Sequence, residues 1–268
     1  MPAFYAHKFF GERVLDTLPS PLKENLNTHK EAFVLGTQGP DILFYHKPFS
    51  KNDIKTKGMD MHLASAMSFF KDCAEKIAKT PEGERSAKAA YVAGFICHFM
   101  LDNACHPHVY ALEDTGVQHG LIESEFDKYL KRQNGEKTHK NAAKGLTKKH
   151  GVAPATAEIL EVDEKAIKRA IKTMRTVNGL FSSPSRAFHK LAKFVLGKLG
   201  AASFESMFLH FSDDPACAKL SPVLAEKLEN AVQPTAELIE KYFQSVKNVE
   251  EDETFTVFDK DYKGESLL

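Results

Sequence analysis

Residues 86–104 read Ser-Ala-Lys-Ala-Ala-Tyr-Val-Ala-Gly-Phe-Ile-Cys-His-Phe-Met-Leu-Asp-Asn-Ala. Tyr91, Val92, Phe95, Ile96, Phe99, Met100 and Leu101 fall on nearly every side of a helix, and a helix that is apolar all round belongs in the middle of a protein. Yet this one carries His98 and Asp102. A histidine and an aspartate at such a place cost several kcal/mol unless they are paired or metal-bound.

Working outward, apolar residues keep helical spacing along most of the chain and strand signals are scarce, so the fold class is all-α. Residues 60–79 place Leu63, Met67, Phe70 and Ala74 at three- and four-residue steps before a Thr80-Pro81 stop. Further helices are expected near 117–132, 154–178, 184–199 and 222–247, with Pro154, Pro184 and Pro222 close to helix starts, where proline is tolerated. Pro19-Ser20-Pro21 and Gly39-Pro40-Asp41 read as turns. Between Lys128 and His150 eight Lys or Arg stand against one Glu, which reads as a solvated connection between two groups of helices. The expected organisation is one multi-helix domain over 1–249, followed by an acidic, aromatic tail over 250–268 that docks on it.

Composition narrows the function. The 268 residues are 43% hydrophobic and 27% charged, values of an ordinary globular chain long enough for a sizeable core. Lys plus Arg and Asp plus Glu both number 36, so bulk charge suggests neither a nucleic-acid coat nor an attractor of acidic substrates. No apolar run reaches the length of a signal peptide or a membrane span, and the expected location is cytoplasmic. Cys73, Cys97, Cys105 and Cys217 form no CxxC pair and are expected to be buried thiols.

The chemistry concentrates in one window. With 12 histidines in the chain, a stretch the length of His98–His119 should hold roughly one; it holds His98, His106, His108 and His119. Positions i and i+4 share a helix face about 6 Å apart along the axis. His98, Asp102 and His106 therefore form one stripe, and His119 with Glu123 another. A single HxxxD is more simply a buried structural pair, but two such pairs with two further histidines read as ligands for zinc, whose protein ligands include imidazole and carboxylate.

These residues resemble the zinc-dependent phospholipase C family, whose fold is shared with the S1/P1-type zinc nucleases. The matching elements run in order: Ala6-His7-Lys8-Phe9, Gly39-Pro40-Asp41, Met61-His62-Leu63, Gly94-Phe-Ile-Cys-His98-Phe-Met-Leu-Asp102, His106-Pro107-His108 and His119-Gly-Leu-Ile-Glu123. They cover about the first half of the chain, and bacterial members without secretion signals share the phrases around TQGPDILFY and GFICHFMLDNACHP.

The resemblance implies an all-α domain of the phospholipase C / P1 nuclease type with two or three zinc ions at the base of a cleft. Carried over residue by residue, Asp41, His62, His98 and Asp102 hold one metal, and His119, Glu123 and either His106 or His108 hold a second. His7 approaches a third, with Asp102 bridging. Secreted relatives add a freed N-terminal amine at that third metal, whereas here Met1 or Pro2 precedes His7 by six or five residues. The implied activity is hydrolysis of a phosphodiester or phospholipid head group by a metal-activated water, with Asp41 either a ligand or the base that orients the water.

Two alternatives stay open: an S1/P1-like nuclease or nucleotide phosphoesterase, for which Tyr5, Tyr45, Tyr91 and Tyr110 are the nearby aromatics, and a non-catalytic, metal-stabilised binding protein. Without tryptophan or basic excess the nucleic-acid reading ranks lower. Partners are thus a phosphoester substrate and a peripheral membrane contact, with no obligate protein partner evident. Residues 184–199, PSRAFHKLAKFVLGKL, read first as a core helix with outward lysines and second as a helix lying on an anionic surface.

Overall fold

The structure is a computed structural model and describes residues 4–146, 151–198, 202–247, 249 and 252–264. His150, Met1 and Pro2 lie outside them. Among the described residues there is no strand. The helices are α1 (Phe4–Thr17), α2 (Ser20–Thr28), α3 (Lys30–Gly36), α4 (Asp53–Leu63), α5 (Ala66–Lys79), α6 (Glu82–Glu113), α7 (His119–Gln133), α8 (Val152–Leu160), α9 (Glu164–Phe181), α10 (Arg186–Lys198) and α11 (Pro215–Ser245), with short 3₁₀ helices between some of them. No described helix is long and apolar enough to cross a membrane.

Helix α6 is the axis of the fold. It is longer than its central apolar stretch, and it buries side chains continuously from Tyr91 to Phe99. Helix α3 crosses it closely because Gly36 and Gly94 meet there: a Cβ on Gly36 would collide with the Tyr91 carbonyl, and one on Gly94 with the Phe33 carbonyl. On another side Phe70 of α5 packs on Phe95, Phe99, Tyr242 and Phe258, with its ring 4.1 Å from that of Phe258. The core continues past residue 249, since Phe255, Phe258 and Tyr262 are fully buried in it.

Several expected boundaries move, each for a local reason. The helix expected over 60–79 is two helices, because Ser65 turns extended and its hydroxyl accepts from the Met67 N–H as the N-cap of α5. The one expected over 154–178 breaks at Glu161, which sits left-handed at φ 51°, and restarts at the Asp163 cap. Helix α11 begins at Pro215 under an Asp214 cap rather than at Pro222, which lies inside it. Pro19-Ser20-Pro21 opens α2, and Gly39-Pro40-Asp41 opens a 3₁₀ helix over Gly39–Tyr45, so neither is a bare turn.

The basic run after Lys128 is less wet than its charge suggests. Lys128 and Lys131 are buried on α7. The Lys128 ammonium pairs with Glu125 and Asp213 and donates to the carbonyls of His210 and Ser212. Lys131 donates to the carbonyls of Thr138 and Lys140. Buried cations need such partners, and the chain that follows α7 folds back to supply those of Lys131.

Candidate metal centre

Five segments, α6 among them, meet at one end of the α6 apolar stretch. Helix α6 presents His98, Asp102 and His106 on one stripe, as i, i+4, i+8 geometry requires, and the turn into α7 brings up His119 and Glu123. Helix α1 contributes His7, the 3₁₀ helix Asp41 and the last turn of α4 His62. The carboxylate of Asp127, one turn beyond Glu123 on α7, accepts the N–H groups of Tyr5 and Ala6 at 3.0 and 2.8 Å. It thereby caps the start of α1 and fixes where His7 points. Gly39 is required by both space and backbone: its φ is +48°, and a Cβ there would run into the His98 ring.

The side chains form three groups in which the ligand atoms lie within 4.8 Å of one another: His7, His98 and Asp102; Asp41, His62 and His98; and His106, His119 and Glu123. Asp102 joins the groups. One of its oxygens faces His7 Nε2 at 3.2 Å and His106 Nε2 at 3.6 Å, while the other faces His98 Nε2 at 3.1 Å. Asp41 splits in the same manner between His62 at 3.1 Å and His98 at 3.7 Å. Glu123 Oε1 lies 3.1 Å from His119 Nε2 and 3.9 Å from His106 Nε2.

These separations test whether the cluster fits zinc. Two ligand atoms bound at about 2.0–2.1 Å to one tetrahedral zinc stand about 3.4 Å apart. The observed pairs straddle that value, and the longer ones exceed a hydrogen bond. His98 Nε2, fully buried, lies between the carboxylates of Asp102 at 3.1 Å and Asp41 at 3.7 Å, the position a ligand nitrogen would take beside an ion that they share.

The opposite ring nitrogens are occupied. His62 Nδ1 donates to Gly58 O at 2.7 Å, His98 Nδ1 to Thr37 O at 3.3 Å, His106 Nδ1 to Tyr262 O at 2.9 Å, and His119 Nδ1 to Glu113 at 2.9 Å. Three of those acceptors are carbonyls, which take only a donor, so the Nε2 atoms are the ones left for a metal. Glu113 and the carbonyls of Thr37, Gly58 and Tyr262 are the parts of the site that sequence reading missed. Backbone acceptors leave no trace in a residue string, and only Glu113, six positions before His119, had a side-chain signal.

The electrostatics follow from burying three carboxylates among imidazoles. Burial alone would raise Asp102, but His106, His98 and His7 hold it well below the usual carboxylate range. Asp41 and Glu123 are likewise held low against burial, Asp41 by His98 and His62 and Glu123 by the positive charge of the N-terminus and then by His119 and His106. His98 is lowered by burial and by the neighbouring His7 ring, stacked 4.3 Å away. It is kept neutral, the form that binds metal.

His108 belongs to none of the three groups. Two residues beyond His106 on the same helix, it is turned roughly 200° away, and of the pair only His106 faces Glu123. Tyr5, Tyr45 and Tyr91 are buried and only Tyr110 is partly open, packed against the rings of His106 and His119. Cys105 directs its thiol to the Leu224 carbonyl, and burial pushes it up to about 12. All four cysteines are buried and free.

The family model for zinc-dependent phospholipase C matches residues 6–176. The chain belongs to the zinc-dependent phospholipase C family. Neither the curated proteins nor the solved structures compared with the chain gave a match. In this family member the matched region holds every residue of the three groups, from His7 to Glu123. The rest of α9, together with α10, α11 and the segment bearing Tyr262, lies beyond it. The His/Asp groups and the all-α fold fit a zinc-dependent member.

Proposed function

We propose that this protein is a zinc-dependent phosphoester hydrolase of phospholipase C type, cleaving a phosphodiester or phospholipid head group with two or three zinc ions. The observation that carries the reading is the orientation of His62, His98, His106 and His119. Each is tied at Nδ1, and each turns Nε2 toward Asp41, Asp102 or Glu123.

Asp41, His62 and His98 would hold one ion, and His106, His119 and Glu123 a second. His7, with Asp102, would hold a third. Zinc bound there supplies Lewis acidity and an activated water for phosphoester hydrolysis. The chain's own part is to fix the ligands before substrate arrives. Asp41 acts as a ligand in this scheme, because each of its oxygens already faces an imidazole. A small polar cleft opens beside Glu123, lined also by Tyr45, Ser124, Asp127, Lys131 and Asn178. It offers donors to a phosphoryl oxygen or a head-group hydroxyl, and the side chains of Lys131 and Asn178 are held in place by hydrogen bonds to backbone carbonyls.

The test is turnover of a chromogenic phosphodiester, phospholipid micelles and single-stranded nucleic acid by protein purified without chelator. Phosphodiester or phospholipid cleavage is expected, and Asp102→Asn should reduce it by more than the roughly 10–100-fold that losing an outer partner of a metal ligand costs. An Asp102→Asn protein as active as wild type would sink the scheme. A clear preference for nucleic acid would overturn the substrate assignment.

A further inference from the structure

We propose that α9 and α10 form a docking face for an anionic lipid bilayer. From Lys165 to Lys198 the sequence holds nine Lys or Arg (Lys165, Lys168, Arg169, Lys172, Arg175, Arg186, Lys190, Lys193 and Lys198) and no Asp or Glu. In a chain whose charges balance to zero only as a whole, this is a strong local excess set against an acidic remainder, and all but Lys193 are exposed.

Beside Lys168, Arg169 and Lys172 the surface is apolar where it should be wet. Helix α10 buries His189 and Leu196 toward Phe208. Its other side leaves Leu191 63%, Phe194 64% and Val195 44% exposed. Phe49 and Leu180 stand exposed on neighbouring segments. Between α9, α10 and the 45–49 turn lies an open groove of about 810 Å³, largely apolar, with Lys168, Arg169 and Lys172 along one wall. A core helix with snorkelling lysines would bury its leucine and phenylalanine; here they project with the cations. Lys168 pairs with Glu164 at 2.6 Å and Lys193 approaches Glu205 at 3.8 Å, but the remaining cations keep the excess. An apolar stripe flanked by basic residues is the pattern of a helix lying in a membrane interface, where anionic head groups meet the cations and the apolar side chains enter the acyl boundary.

Charge decides the occupant. A second copy of the chain would bring the same basic excess against this one, and like charges facing each other oppose association. An anionic bilayer offers the opposite charge and an apolar layer together. The location also suits a lipid-facing enzyme, since Tyr45 and Phe181 line both the groove and the polar cleft beside Glu123. Docking does not depend on the hydrolytic reading, because it uses none of the residues of the three ligand groups.

The experiment is sedimentation of the full chain with vesicles of phosphatidylcholine alone or mixed with phosphatidylglycerol, alongside Leu191→Glu/Phe194→Glu and Lys190→Glu/Lys193→Glu. Binding is expected only with phosphatidylglycerol, weakening as salt rises and falling at least about tenfold in either double variant. Soluble-phosphodiester turnover should stay at the wild-type level in both. Equal binding to both vesicle types, no binding to either, or undiminished binding by the variants would overturn the proposal. So would a concentration-dependent dimer in lipid-free solution that the Leu191→Glu/Phe194→Glu change abolishes. Sedimentation needs no turnover, so a chain without hydrolase activity that still binds anionic vesicles contradicts the proposed function and leaves docking standing.

Discussion

His119 is set to hold either a proton or a metal. Burial works against its charge, but Glu123 at one ring nitrogen and Glu113 at the other outweigh burial and push it up to about 9. A histidine whose folded value is raised contributes stability that is complete below its unfolded value of about 6.5 and disappears as pH rises through the folded one. Chelator-treated protein should therefore lose up to about 3 kcal/mol of unfolding free energy between about pH 6.5 and 9, and His119→Gln should remove most of that slope. Urea unfolding across this range reads it; a metal-free wild type of constant stability over the interval would contradict the pairing. The part of the Glu123 lowering that comes from His119 is the same contact and is not counted twice. Asp102 was legible as a candidate ligand only with the neighbouring histidines beside its HxxxD spacing, and its association with His7 only through the family resemblance. Which of its oxygens faces which ring was not legible, because only the fold sets it.

Among the elements, the final segment carries more than its composition shows. Residues 252–264 thread Phe255, Phe258 and Tyr262 into the core and end against α6. There the Tyr262 carbonyl accepts from His106 and the Asp261 carbonyl from Asn103. Pro107 has no N–H, which frees the carbonyl four residues back, that of Asn103, from the helix ladder; Gly264 packs beside both Asn103 and Pro107. The segment thus acts as a strap that sets the His106 ring. Phe258→Ala should cost about 3–5 kcal/mol in chemical denaturation and, by loosening the strap, weaken zinc retention in a chelator competition. A variant that keeps wild-type stability and zinc affinity would show that the strap is incidental. Sequence reading found the helices with strong apolar period and misplaced ends wherever a cap or proline decided the matter: Ser65 and Asp163 split two expected helices, and Pro222 was absorbed into a longer one. It also read Lys128 and Lys131 as surface residues, since the carbonyls and carboxylates that neutralise them lie elsewhere in the chain.

Over the whole molecule, opposite charges are separated with purpose. Three buried carboxylates gather at the end of the α6 apolar stretch, whereas nine cations and a set of exposed apolar side chains gather on α9 and α10. The first arrangement asks for metal and the second for an anionic surface, and the shared Tyr45 and Phe181 connect them. The overall neutrality of the sequence hides both. The all-α class, the order of the ligand motifs and the preference for His/Asp chemistry could all be read in advance. The helical stripe already favoured His106 over His108, and the coordinates group His106, not His108, with His119 and Glu123.

Everything about the centre turns on whether the clustered imidazoles and carboxylates bind metal. The decisive measurement is metal content by inductively coupled plasma mass spectrometry, on wild-type and Asp102→Asn protein purified side by side without chelator or histidine tag. Two or three zinc per chain in the wild type, with at least one fewer in the variant, is the expected result. A folded wild-type chain that stays free of metal after zinc is added back would mean that the cluster is a structural network of buried ion pairs, and the hydrolase reading would fall with it.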